Sequence, residues 1–150
     1  MDFDRSAQAP DDFGFTFHGS YTRAVDAKGR FNLPFRFRQV GQEERYVVAK
    51  GADESLSLLP YSVWIENFNR MREGKPGKEL RKNLRSMSLG SKVVEPDSQG
   101  RVAVTPEILL SYGITQKITI VGMGSFMELW DPQTLALLEH IPMVFTLPYG

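Results

Sequence analysis

The 150 residues predict an α+β fold made from two copies of one unit. Three observations carry this. The stretch Asp26-Ala27-Lys28-Gly29-Arg30-Phe31-Asn32-Leu33-Pro34 returns as Asp97-Ser98-Gln99-Gly100-Arg101-Val102-Ala103-Val104-Thr105-Pro106, each reading D-x-x-G-R, then alternating apolar positions, then proline. The Asp, Gly and Arg of the two stretches lie 71 residues apart, as do Gly51 and Gly122, Leu58 and Leu129, and Leu59 and Trp130. Sustained self-similarity at a fixed offset is the signature of a repeated unit. Short β-branched, aromatic or leucine-rich runs between glycine-bearing turns supply the strands, and apolar residues at helical spacing supply the helices. One copy is too short to bury a good core. The two are therefore expected to pair their sheets around a shared core, as one domain with internal pseudo-twofold symmetry.

In chain order, residues 1–17 hold Asp, Pro, Gln and Ser with Phe3, Phe13, Phe15 and Phe17 at no clear period, and predict a mobile acidic extension. The first repeat is placed at 18–70. Its opening strand, His18 to Val25, carries Arg23 toward the motif. Asp26 can fold its carboxylate onto backbone N–H groups two residues on, and Gly29 supplies the positive φ of a tight turn. Beyond it Phe31 and Leu33 face one way, Arg30 and Asn32 the other, so the strand should be half buried with Arg30 outside. Pro34 suits the first turn of a short helix holding Arg36 and Arg38. Strands follow at Arg45–Ala49 and Ser55–Leu59, and a helix from Pro60 has Val63, Trp64, Phe68 and Met71 as an apolar stripe expected to pack in the core.

Gly74-Lys75-Pro76-Gly77 breaks that helix. A basic linker is placed at 71–87, with a second helix near Lys78 to Met87 whose apolar face is Leu80, Leu84 and Met87. The second repeat, 88–140, has its strand and D-x-x-G-R turn, then Thr105 as N-cap of a helix from Pro106 that stops at Gly113. Strands Lys117–Val121 and Phe126–Trp130 come next, then a helix capped by Asp131 with Pro132 in first position. Residues 141–150 are apolar and broken by proline.

The chain has no cysteine, which removes disulfides, thiolate metal sites and cysteine nucleophiles and is compatible with a reducing cytoplasm. It has no apolar run near the roughly 20 residues of a membrane span and no secretory pattern at its start. Net charge is zero but unevenly spread: residues 1–17 carry −3, residues 18–92 carry 15 Lys or Arg against eight acids (+7), and residues 93–150 carry −4. The first half thus suits a polyanion and the second does not. His18 and His140 are the only histidines. No metal-ligand spacing, phosphate loop or nucleophile elbow is present, and Gly122-Met123-Gly124 reads as a hairpin turn. No enzyme, cofactor or metal is expected.

With its paired D-x-x-G-R motifs, Lys28 before the first Gly-Arg, Pro34, the second-copy proline one place later and the closing Phe126-Met127-Glu128-Leu129-Trp130-Asp131, the chain resembles the MraZ family of bacterial transcriptional regulators. That family lies in the AbrB-like (SpoVT–AbrB) superfamily, and the resemblance covers roughly residues 18–140. It implies a swapped-hairpin AbrB-like β-barrel with flanking helices, and homo-oligomeric rings. It also implies binding of double-stranded DNA at repeated promoter boxes upstream of the division and cell-wall gene cluster, usually in repression, hence a cytoplasmic, nucleoid-associated protein. The family's DNA-contacting arginine falls on Arg30, with Lys28 beside it. The residues agree: Arg30, Lys28, Arg23, Asn32 and Arg36 gather around a tight turn, and arginine can bond guanine bidentately. The motif residues Asp26, Gly29, Asp97, Gly100 and Arg101 are expected to hold the turns. Arg101 is expected to serve the fold by pairing with Asp97, because Gln99 and Ala103 replace Lys28 and Asn32. The other reading is a protein-binding regulator, antitoxin-like or enzyme-inhibiting, using the basic helix 78–87 and the apolar end.

Overall fold

The computed structural model describes residues 16–41, 44–51 and 55–139. The closing segment 141–150, His140 and all but the end of the expected extension lie outside these. The chain runs β1 (Ser20–Ala24), β2 (Arg30–Asn32), α1 (Phe35–Gly41), β3 (Tyr46–Lys50), β4 (Leu56–Pro60), α2 (Tyr61–Arg72), α3 (Lys78–Leu89), β5 (Ser91–Val94), β6 (Arg101–Ala103), α4 (Pro106–Ser111), β7 (Lys117–Gly122), β8 (Met127–Trp130) and α5 (Pro132–Glu139). The fold is mixed α+β, as expected.

Six strands form one antiparallel sheet in the order β1-β7-β8-β4-β3-β5, and β2 with β6 forms a separate two-stranded antiparallel ribbon. Among the described residues the expected closed barrel is therefore not observed: β1 and β5 are the two edges of the sheet. The ribbon strands are three residues each and run directly toward Pro34 and Pro106. Proline has no N–H to extend a ladder, so the ribbon joins the sheet by packing.

That packing is apolar and alternates with the strand period. Phe31, Leu33, Val102 and Val104 enter from the ribbon, Phe37 and Leu109 from α1 and α4, and Tyr46, Val48, Leu56, Leu58, Ile118, Ile120, Met127 and Leu129 from the sheet, all in one buried cluster. Phe17 also lies in it, 3% exposed, with its ring edge-on to Phe37 at 5.5 Å. Its N–H donates to the Gly124 carbonyl and its own carbonyl accepts from Gly124 N–H. Phe17 thus belongs to the fold and not to the extension expected over 1–17. Its apolar ring is buried because the β7–β8 hairpin gives its backbone a partner.

Two other local expectations change. Thr105 stands at the N-cap of α4, but its hydroxyl makes no capping bond. By contrast, Asp131 Oδ2 accepts both the N–H and the hydroxyl of Thr134 at 3.0 and 2.8 Å. The stripe on α2 is half buried rather than part of the core, and neither α2 nor α3 has a buried residue. The cause is topological: α2 starts at the end of β4, where Tyr61 N–H donates to the Arg45 carbonyl, and covers the sheet face that bears Val47, Leu59 and Ser57, away from the core. Trp64 and Phe68 stack on each other there at 5.1 Å. No helix among the described residues is long and apolar enough to cross a membrane.

Candidate nucleic-acid interface

The two D-x-x-G-R turns have one hydrogen-bond pattern. In the first, Asp26 Oδ1 accepts from the backbone N–H of Lys28 and of Arg30, both at 2.9 Å, and Oδ2 accepts from Arg30 Nε at 2.7 Å. In the second, Asp97 Oδ1 accepts from Gln99 and Arg101 N–H at 2.9 Å, and Oδ2 from Arg101 Nε at 2.8 Å. Asp at the first position, with Gly three residues on at φ of 80° and 79°, explains why both stretches form this turn. The Arg30 backbone N–H, with its guanidinium and the Lys28 N–H, holds the Asp26 carboxyl at about 2 against an ordinary 3.8, outweighing desolvation. Asp97 is lowered by the same contacts from Arg101 and Gln99.

The carboxylate pairs with Nε of each arginine and leaves the terminal amino groups without a partner among the described residues. The arginines are similarly exposed, 36% and 28% at the side chain. In the ribbon Arg30 stands opposite Ala103 and Asn32 opposite Arg101. Directly opposed residues point to the same face, so Arg30, Asn32 and Arg101 share the outer face while Phe31 and Val102 fill the core. The Arg101–Asp97 pair is present as expected, but Arg30 makes the same pair, so pairing does not set the second arginine apart.

The other expected residues spread out from this ribbon. Lys28 is exposed on the first turn. Arg36 is exposed on α1 and engaged in a contact of its own. Arg23 lies on edge strand β1, its Nη1 bonded to the Thr22 carbonyl at 3.1 Å and its guanidinium 5.3 Å above the Tyr21 ring. Arg38 is a residue whose place the sequence did not reveal. Its guanidinium packs against Gly100 in the second turn and lies 5.3 Å over the Phe35 ring, and its Nε is buried without a hydrogen-bond partner among the described residues. The nearest signal was that Leu110 occupies the matching place in the second copy.

The ribbon thus presents two carboxylate-oriented arginines on one outer face of a mixed α+β fold. A family model described as "MraZ protein, putative antitoxin-like" matches residues 16–79. Proteins called transcriptional regulator MraZ are similar over most of the chain. That of Paraburkholderia phytofirmans is 35% identical over 136 residues, covering 88% of this chain and 94% of its own. Those of Burkholderia mallei and Burkholderia thailandensis are 36% identical with the same coverage. The chain belongs to the MraZ family.

Proposed function

We propose that the chain is a sequence-specific DNA-binding transcriptional regulator. It acts as a repressor at repeated boxes upstream of the division and cell-wall gene cluster, its own gene included. The observation that carries this reading is the shared outer face of the β2–β6 ribbon, with Arg30 and Arg101 each held at Nε and open at the terminal amino groups. Such a guanidinium keeps the two-donor edge that matches O6 and N7 of guanine. Arg30 reads base edges, Arg101 joins it from the same face, and Asn32 lies between them across the ribbon. Lys28, Arg36 and Arg23 hold phosphates and set the register. The names of the relatives support a role in transcription. The protein acts in the cytoplasm at the nucleoid and has no catalytic role.

The reading includes two structural proposals. The chain consists of two pseudo-symmetric repeats: exchanging elements 71 residues apart leaves the order β1-β7-β8-β4-β3-β5 unchanged when read from the other end. The subunits form a homo-oligomeric ring, which raises effective concentration on repeated boxes.

The test is binding of wild type and Arg30→Ala to DNA from upstream of the cluster and to random DNA across a salt series. A repeat-dependent complex that weakens with salt and is lost in Arg30→Ala supports the reading; equal affinity of the folded variant sinks it. The antitoxin-like description of the family favours a second reading, a protein-binding regulator. Recovery of one stoichiometric protein from nuclease-treated lysate, with no DNA affinity in vitro, would replace the first with it.

A further inference from the structure

Four cations, Lys78, Arg81, Lys82 and Arg85, line one side of α3 at i, i+3, i+4 and i+7, all exposed and none in an ion pair or hydrogen bond among the described residues. At 3.6 residues per turn they share an arc of about 100°. Nothing in the helix itself accounts for them. Lys78–Lys82 and Arg81–Arg85 are like charges one turn apart, which destabilises a helix. Lys78 opens the helix, where its dipole disfavours a positive charge, while the last turn, where the dipole favours one, has no basic residue. Packing does not account for them either. Leu80, Leu84 and Met87, on the other side of α3, are the half-buried ones, and Met87 lines a groove with Trp64 of α2 and Leu59 of β4.

These cations lie on the far side of the sheet from the arginine ribbon. Successive strand residues face opposite ways: Leu58 joins Phe31 of the ribbon in the core, while Leu59 lines the groove with Trp64 and Met87. The sheet therefore separates the ribbon from α3, and a duplex on the ribbon leaves the α3 cations free. The chain as a whole is neutral, so attraction to a polyanion has to be local. Along the 12 residues of α3, about 18 Å, a duplex presents roughly ten phosphates. An anionic membrane fits less well, because a helix lying in its surface buries a broad apolar face. The apolar side of α3 is turned to α2 and the sheet, and Leu89, at its end, is the one apolar residue within the cationic arc. We propose that α3 is a second, sequence-independent surface for double-stranded DNA, holding a duplex segment other than the one at the ribbon. The protein then bridges a promoter box and neighbouring DNA; the bridge, though not the α3 surface, rests on the DNA reading of the ribbon.

The test combines Lys78→Gln, Arg81→Gln, Lys82→Gln and Arg85→Gln, which keeps helix propensity and removes the like-charge pairs. Beads bearing DNA from upstream of the gene cluster are loaded with the full chain at low salt and offered a labelled random duplex. Wild type should retain the labelled duplex. The variant should load on the beads as wild type does and retain about tenfold less. On random duplex alone, its slope of log affinity against log salt should be shallower by about three or more. Equal retention, an unchanged slope, or loss of loading along with retention would overturn the proposal. So would vesicles of phosphatidylserine and phosphatidylcholine that bind wild type and not the variant while random duplex binds both equally; the surface would then be one for anionic lipid. Arg30→Ala keeps the two DNA sites apart: it should fail to load on the beads yet still bind random duplex through α3. Loading of Arg30→Ala equal to wild type would sink the ribbon reading and leave the α3 result on random duplex standing.

Discussion

At Gly29 an added Cβ would fall on the backbone carbonyl oxygen of Val104; at Gly100 it would meet the guanidinium of Arg38, the far end of a flexible side chain. The two turns share φ, hydrogen bonds and a carboxylate-held arginine, yet they sit in different surroundings. The first turn is wedged against main chain and carries Lys28 at its exposed rim. The second rests on a borrowed cation and carries Gln99 instead. A motif thus repeats its local chemistry faithfully, while the neighbours decide how tightly each copy is held and what it presents.

The largest effect should come from removing the arginines. Arg30→Ala is expected to abolish specific DNA binding, since a good bidentate contact is worth about 1–3 kcal/mol and the ring proposed above would multiply the loss. Arg101→Ala should weaken binding about tenfold if the outer face is shared. Unchanged affinity with lowered stability would return Arg101 to a purely structural role. Lys28→Ala should weaken binding to all sequences and flatten the salt dependence by about one unit of slope, where Gln99→Ala should not.

Stability should separate the glycines next. Gly100→Ala is expected to cost about 1–3 kcal/mol for a side chain at positive φ. Gly29→Ala should cost more, by about 1–3 kcal/mol, because backbone must move. Denaturant midpoints measure both, and equal midpoints would show that the Val104 contact relaxes freely.

Acid should act on both turns. Their carboxyls are harder to protonate folded than unfolded, so the stability they confer is present above the ordinary value near 3.8 and is lost as pH falls toward about 2 at Asp26. Asp26→Asn should flatten the acid limb of the stability curve in that window. A limb identical to wild type would remove the turn from the account.

The smallest contrast lies at the helix starts. Asp131→Ala should lower stability by about 1 kcal/mol, whereas Thr105→Ala, with no capping bond to lose, should change it by less than about 0.5 kcal/mol. Thermal melts of the pair would decide it.

Much of this was written locally. The turn chemistry of D-x-x-G-R, the alternation that buries Phe31 and exposes Arg30, the breaks at Gly74–Gly77 and Gly113, and the cap at Asp131 depend on residues a few positions apart, so the sequence alone determined them. Only tertiary structure decided the rest. Arg30 and Arg101 share a face because β2 pairs with β6 across 71 residues, in a register no local pattern states. Arg38 meets Gly100 for the same reason. The α2 stripe looked like core because periodicity reports an apolar face without saying which layer it covers. Phe17 looked like tail because its partner, Gly124, is more than 100 residues away. Local chemistry shapes each turn, and long-range packing determines which turns and faces come together.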